Sequence, residues 1–130
     1  TQEPAATIPL VNQYYVKAIQ ELCEDYGAQF MLLSTPSPVN WNYARHAGIE
    51  AFAQELGCDY LDLNLEDVKI DWTQDTFDKG DHLNHFGAVK VTKFLSNYLQ
   101  GKDGLTDHRS DPAYGDWNEK LKAYENLISQ

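Results

Sequence analysis

Phe30-Met31-Leu32-Leu33, running into Ser34-Thr35-Pro36-Ser37-Pro38, is the stretch on which the fold turns. A continuous apolar run of this length suits a strand covered on both faces, as in a parallel sheet. The Ser/Thr/Pro cluster then ends it in a loop. Upstream, Pro9 can sit in the first turn of a helix, where its missing N–H costs nothing. Val11, Tyr15, Ala18, Leu22 and Tyr26 recur at helical spacing up to a stop at Gly27. Downstream, a second helix is predicted from about Trp41, carrying Ala44, Ile49, Phe52, Ala53 and Leu56 inward and ending at Gly57. Tyr60 to Leu63 reads as a second strand.

A polar loop with a short Trp72-bearing turn leads on to Asp78-Lys79-Gly80-Asp81-His82-Leu83-Asn84. Asn84 is a good N-cap for a third helix, whose Ala88, Val91, Leu95 and Tyr98 form one stripe before Gly101. The segment 102–115 is polar and irregular. A last helix is predicted from about Asp116, burying Trp117, Leu121, Tyr124 and Leu127. Residues 1–7 thus read as a linker, 8–101 as the body, and 102–130 as a tail with a final helix. No repeat or low-complexity tract interrupts them.

Helix, strand, helix, strand, helix is an α/β order, with a parallel sheet and right-handed crossovers. Two strands cannot shield Phe30 to Leu33 on both edges. The chain is therefore expected to be the C-terminal half of a doubly wound domain. The remaining strands would precede Thr1 or come from another chain. Alone, it should expose more apolar surface than the roughly few hundred Å² a soluble monomer tolerates. The opening Thr-Gln-Glu-Pro, without an initiator Met, likewise suggests a mature product or a fragment.

The 130 residues form one domain by length, and 42% hydrophobic with 12% aromatic content describes a globular chain. A formal charge of −10 repels phosphate backbones and anionic lipid heads, which argues against nucleic-acid and membrane partners. No apolar run approaches the roughly 20 residues of a spanning helix. Cys23 and Cys58 are too few for a disulfide framework or a zinc site and are expected as buried free thiols.

The Asp78–Thr92 stretch carries the chemistry. It sets carboxylates and an imidazole in a loop that opens directly into a helix, the base half of a nucleophilic triad. In open α/β sheets such chemistry collects at the carboxyl ends of the strands, so this loop and the Thr35–Asn40 loop should face one crevice. Asp78 is the first choice to orient His82, across a turn made possible by Gly80. Asp81 is the alternative, although adjacent side chains in an extended loop point to opposite sides. His82 and His85 lie three apart, but no third strong ligand at helical spacing accompanies them, so neither a metal nor a cofactor is expected. His46 is expected on the surface and His85 in solvent. His108 and Arg109 should form salt bridges with Asp107 or Asp111. Trp41 and the Ser37–Asn40 loop are candidates for lining a substrate cleft, as is Asn84.

His82-Leu83-Asn84 with Gly87-Ala88 and Lys90-Val91-Thr92 resembles the last block of the SGNH (GDSL-like) hydrolases. Thr35-Pro36-Ser37 with Trp41, and Asp107-His108-Arg109 with Asp111, Tyr114 and Trp117, are similar to a bacterial branch of that family. The resemblance covers about Tyr14 to Tyr124. It implies a three-layer α/β/α, flavodoxin-like parallel sheet and a serine esterase or acyl hydrolase without a cofactor. A small ester, such as an O-acyl group on a carbohydrate, would be the substrate. His82 would be the base and Asp78 or Asp81 its orienter. An extracellular or cell-surface location fits the same branch. Two departures stand out. The family's usual acid position, three residues before the His, holds Lys79, and nothing in the chain matches the Gly-Asp-Ser nucleophile or the Gly and Asn oxyanion-hole blocks. A non-catalytic α/β binding or scaffolding module is the alternative reading. The missing half of the domain, or a second copy, is the expected partner.

Overall fold

A computed structural model of the protein describes residues 4–100, 102 and 105–129. It is a mixed α/β chain of four α-helices and a small two-stranded parallel sheet. In order these are α1 (Leu10–Asp25), β1 (Met31–Ser34), α2 (Tyr43–Leu56), β2 (Asp59–Asp62), α3 (His85–Gln100) and α4 (Gly115–Ile128), with a 3-10 turn at Pro112–Tyr114 before α4. Both strands begin one residue from their expected positions. Gly101, expected to stop the third helix, and residues 1–3 of the expected linker lie outside the described residues.

Local chemistry sets the boundaries. The Asn42 side chain accepts the Arg45 N–H at 2.9 Å and so starts α2 two residues later than Trp41. Gly57 ends it in the left-handed region at φ 66°, where a residue with a Cβ would be strained. Asn84 caps α3, its side-chain oxygen accepting Phe86 N–H at 2.9 Å and Gly87 N–H at 3.2 Å.

The strands pair Met31 with Asp59 through Ser34 with Asp62, and alternation then sorts the side chains onto two faces. Leu61, with Leu63 just beyond the strand, turns toward α3 and closes a core with Val68 and Val91. Met31, Ile70, Leu83, Phe94, Leu95 and Tyr98 pack around it. Tyr60 and Asp62 turn the other way, toward α2, whose Phe52 and Ala53 are buried. Each fully buried aliphatic side chain of this kind stabilises the fold by roughly 1.5–3 kcal/mol.

Gly87, in the first turn of α3, is required for packing. A Cβ there would collide with the Asp75 carbonyl oxygen and the Leu83 side chain. Gly87→Ala is expected to cost about 1–3 kcal/mol by overpacking. The thermal midpoint checks this, and an unchanged midpoint would mean that the Asp75 loop steps aside freely.

Two helices differ from their expected burial. Trp117, Leu121, Tyr124 and Leu127 of α4, expected inside, are all exposed, because α4 packs mainly on its own 3-10 turn. On α1 the half-buried residues are Gln13, Val16, Gln20 and Cys23, next to α2, where Gln20 Nε2 donates to the Leu56 carbonyl at 3.0 Å. The stripe that runs through Val11, Tyr15, Ala18, Leu22 and Tyr26 lies on the opposite side, in solvent. Cys23 and Cys58 are free thiols, half-buried instead of buried.

Candidate active site

The segment between β2 and α3 folds back on itself. Thr76 and Leu83 form an isolated antiparallel bridge, and Phe77 N–H donates to the His82 carbonyl at 2.9 Å. Below this neck the buried Asp75 carboxylate takes the Asp71 N–H at 2.7 Å and the Lys90 ammonium at 2.5 Å, which ties the segment to α3. The Lys90 hydrogen bond holds that carboxyl below its ordinary value.

Within the loop Asp78 is the organiser. One carboxylate oxygen accepts the backbone N–H groups of Gly80, Asp81 and His82 at 3.1, 3.0 and 3.2 Å. A short acidic side chain bonding the backbone just ahead of it is the habit of Asp at turns. The left-handed residue of this turn is Lys79, at φ 60°, not Gly80. Gly80 is instead buried, with the Val39 side chain 3.2 Å from where a Cβ would stand.

The second Asp78 oxygen lies 2.6 Å from His82 Nδ1. A carboxylate only accepts, so Nδ1 carries the proton and, in the neutral ring, Nε2 keeps its lone pair. The imidazole side chain is 77% exposed, and Nε2 meets no hydrogen-bond partner among the described residues. The His82 hydrogen bond draws the Asp78 carboxyl down to about 2, and the same bond raises His82 above 6.5. Asp78 thus contributes stability above 3.8, lost as pH falls toward about 2, whereas the contribution of His82 is full below 6.5 and fades as pH rises through its folded value. The ion pair therefore holds the loop most firmly between 3.8 and 6.5.

Asp81, the alternative orienter, is not at the imidazole. Its two oxygens accept the Ser37 hydroxyl and the Asn40 side-chain amide, each at 2.6 Å. Adjacent residues point apart in this loop, so Asp78 takes the ring and Asp81 takes the loop that follows β1. This cross-link sets His82 beside the carboxyl ends of the strands. A third loop joins them: Ser37 N–H donates to Asn64 Oδ1 at 2.7 Å, and Asn64 Nδ2 donates to the Thr35 carbonyl at 3.0 Å.

The three residues expected to meet substrate are already engaged within the chain. Asn84 caps α3 with its oxygen and donates through Nδ2 to the Gln74 carbonyl at 2.7 Å, so it acts as a cap and a loop tie. The Ser37 hydroxyl donates to Asp81 and accepts the Asn40 N–H at 2.9 Å. Trp41 commits its indole N–H to Asp62 at 2.7 Å, but its ring lines a concavity of about 370 Å³ with Pro36, Ser37, Pro38 and Trp72. That hollow adjoins the His82 loop through Ser37.

A second carboxylate–imidazole pair was not anticipated. His46, expected on the surface, donates from Nδ1 to Asp62 at 2.8 Å, and Asp62 is only 6% exposed. Asp62 also accepts from Tyr60 Oη at 3.0 Å and from the Asn64 backbone and side chain at 2.9 and 2.8 Å. Burial pushes this carboxyl up, but the hydrogen bonds from Asn64, Trp41 and His46 outweigh it and leave it below its ordinary value. Burial likewise pushes the Tyr60 hydroxyl up to about 12.

The remaining histidines are partnered too. His85 Nδ1 meets the Tyr124 hydroxyl at 2.8 Å and is half-buried, not solvated. His108 stacks on Tyr114 and lies 3.5 Å from Asp111, while Arg109 pairs with Asp107, as expected of this tail. Among the described residues no three His, Cys, Asp or Glu side chains gather as a metal site, and no helix is long and apolar enough to cross a membrane. No family model, curated protein or solved structure matches the chain.

Proposed function

We propose that this chain supplies the acid–base half of an SGNH-type serine hydrolase that cleaves an ester, with an O-acyl carbohydrate as the substrate class. His82 Nε2 takes the proton of a serine hydroxyl as that oxygen attacks the acyl carbon, and returns it to the departing alkoxide. Asp78 fixes the tautomer that leaves Nε2 free and stabilises the imidazolium. The observation that carries this reading is the Asp78–His82 contact of 2.6 Å, in an exposed loop bound to the turn after β1. A buried or unoriented histidine would support no such role.

The nucleophile and oxyanion hole lie outside this chain in this reading, on further parallel strands of a three-layer α/β/α, flavodoxin-like sheet. The unpaired edge of β1 and the outer stripe of α1 offer those strands and their helices a surface. Leu10, Tyr14, Tyr15, Ile19 and Leu22 there are each more than half exposed. The resemblance of the Asp78–Thr92 stretch to the last SGNH block carries the family assignment, and the Trp41–Trp72 hollow suits a sugar ring.

A fluorophosphonate tests the proposal in the protein that carries both halves. The serine oxygen attacks phosphorus, fluoride leaves, and the hydroxyl proton passes to His82. Labelling is expected in the wild type and is expected to fall at least about tenfold in rate in His82→Ala, since general-base help is typically worth more than that. Normal labelling of His82→Ala would end the reading.

A further inference from the structure

The geometry points to Asp62 as a positioning residue for the His82 site, acting through Asn64, Ser37 and Asp81; this rests on the reading of His82 as the base. The dyad is self-contained. Asp78 bonds only within its own loop, so nothing in that loop decides where Nε2 stands relative to the strand ends.

Beside the ties of Asp75 to Lys90, Asn84 to Gln74 and Asn40 to Asp81, one continuous path links that placement to the sheet. Asp62, buried just at the end of β2, holds Asn64 by its backbone and its side chain at 2.9 and 2.8 Å. Asn64 Oδ1 holds the Ser37 N–H at 2.7 Å, and the Ser37 hydroxyl holds Asp81 at 2.6 Å. Asp81 is the covalent neighbour of His82. The other arms of Asp62 reach Trp41 at the entry to α2, His46 on α2 and Tyr60 on β2, so the carboxylate locks the path to the body of the fold.

A buried carboxylate suits this task because its partners are obligatory: losing one leaves a desolvated acceptor short of a donor. The site then inherits the rigidity of the sheet instead of the freedom of an exposed loop. Positioning matters because a displacement of about 1 Å can cost on the order of 10²-fold in rate.

Asn64→Ala and Ser37→Ala cut the path while leaving Asp62 in place, which keeps the test informative if Asp62→Asn fails to fold. Phe52→Leu, a core truncation off the path, controls for general loss of stability. In the protein carrying both halves, Asn64→Ala is expected to speed amide exchange at Gly80, Asp81 and His82 by about tenfold relative to α3, by local opening. Phe52→Leu is expected to leave that ratio unchanged. Ester hydrolysis is expected to lose about tenfold in kcat with KM nearly constant, as for an interaction made only in the transition state.

The acid limb of the pH–rate profile should stay in place, since the Asp78–His82 pair is intact. The double variant Asn64→Ala/Ser37→Ala should be no slower than the worse single one, because both cut one path. Unchanged loop exchange in Asn64→Ala, an equal response in Phe52→Leu, a displaced acid limb or additive losses would each overturn the assignment. An active His82→Ala variant overturns the reading on which it rests, and is told apart by loop exchange that still responds to Asn64→Ala.

Discussion

His82→Ala is expected to lower ester turnover on the order of 10⁴-fold or more in the protein that brings this chain together with its nucleophile. The size follows from the two proton transfers that the proposed mechanism assigns to the imidazole in each cycle. In that mechanism it accepts the serine proton on attack and delivers it to the leaving alkoxide, and the other histidines near it are engaged elsewhere. His85 Nδ1 is engaged by Tyr124 at 2.8 Å, and His108 stacks on Tyr114 in the tail. His85→Ala and His108→Ala should therefore change turnover by less than about tenfold, the scale of effects outside the proton path. KM should barely move in His82→Ala, because an exposed ring contributes its energy in the transition state and not in ground-state binding. Steady-state hydrolysis of a chromogenic acyl ester measures both constants. Turnover within tenfold of wild type would remove His82 from the chemistry.

Where the sequence was legible, the cause was local. Gly57 and Asn84 act on backbone within a few residues of themselves, so the end of α2 and the start of α3 were legible, whereas the Asn42 cap that starts α2 at Tyr43 was not singled out. The Asp78–His82 contact spans four residues and one turn, so it too could be anticipated, although the left-handed position fell to Lys79 and not to Gly80. Gly80 is instead the buried residue of the turn, with the Val39 side chain 3.2 Å from where a Cβ would stand, a constraint from another loop that the local sequence does not display.

What escaped was long-range. His46 and Asp62 lie sixteen residues apart, on a helix and a strand, and only the β1–α2–β2 crossover brings them together. A lone His on a helix carries no mark of a buried partner. The apolar stripes of α1 and α4 show the converse. Helical spacing reveals that one face is oily, but the covering element decides whether it is buried, and here the α1 stripe stays in solvent while the α4 stripe meets His85 at Tyr124 and remains exposed. Asp81 was readable as a carboxylate beside the histidine. Its actual service to Ser37 and Asn40, more than forty residues away, was not.

Asp78→Asn separates the two functions of that carboxylate and should cost about 10⁴-fold in turnover, the scale of an orienting acid changed to its amide. Asn retains an oxygen for the N–H groups of Gly80, Asp81 and His82, so the loop should keep its shape. The other oxygen becomes an NH₂ facing His82 Nδ1. Two donors cannot share that contact, so the ring either moves its proton to Nε2, where it can no longer accept from serine, or turns away. The pH profile gives the sign. His82 acts as a base only when neutral, and Asp78 raises it above 6.5, so wild-type activity should climb with pH through a midpoint above 6.5. Removing the Asp78 charge removes that lift, and the residual activity of Asp78→Asn should rise at lower pH than the wild type. Asp81→Asn should cost far less, about tenfold, and leave the midpoint near its wild-type position, since Asp81 places the loop without touching the ring. A larger loss in Asp81→Asn than in Asp78→Asn would reassign the acid. A wild-type midpoint retained in Asp78→Asn would show that the 2.6 Å contact does not govern the titration of the base.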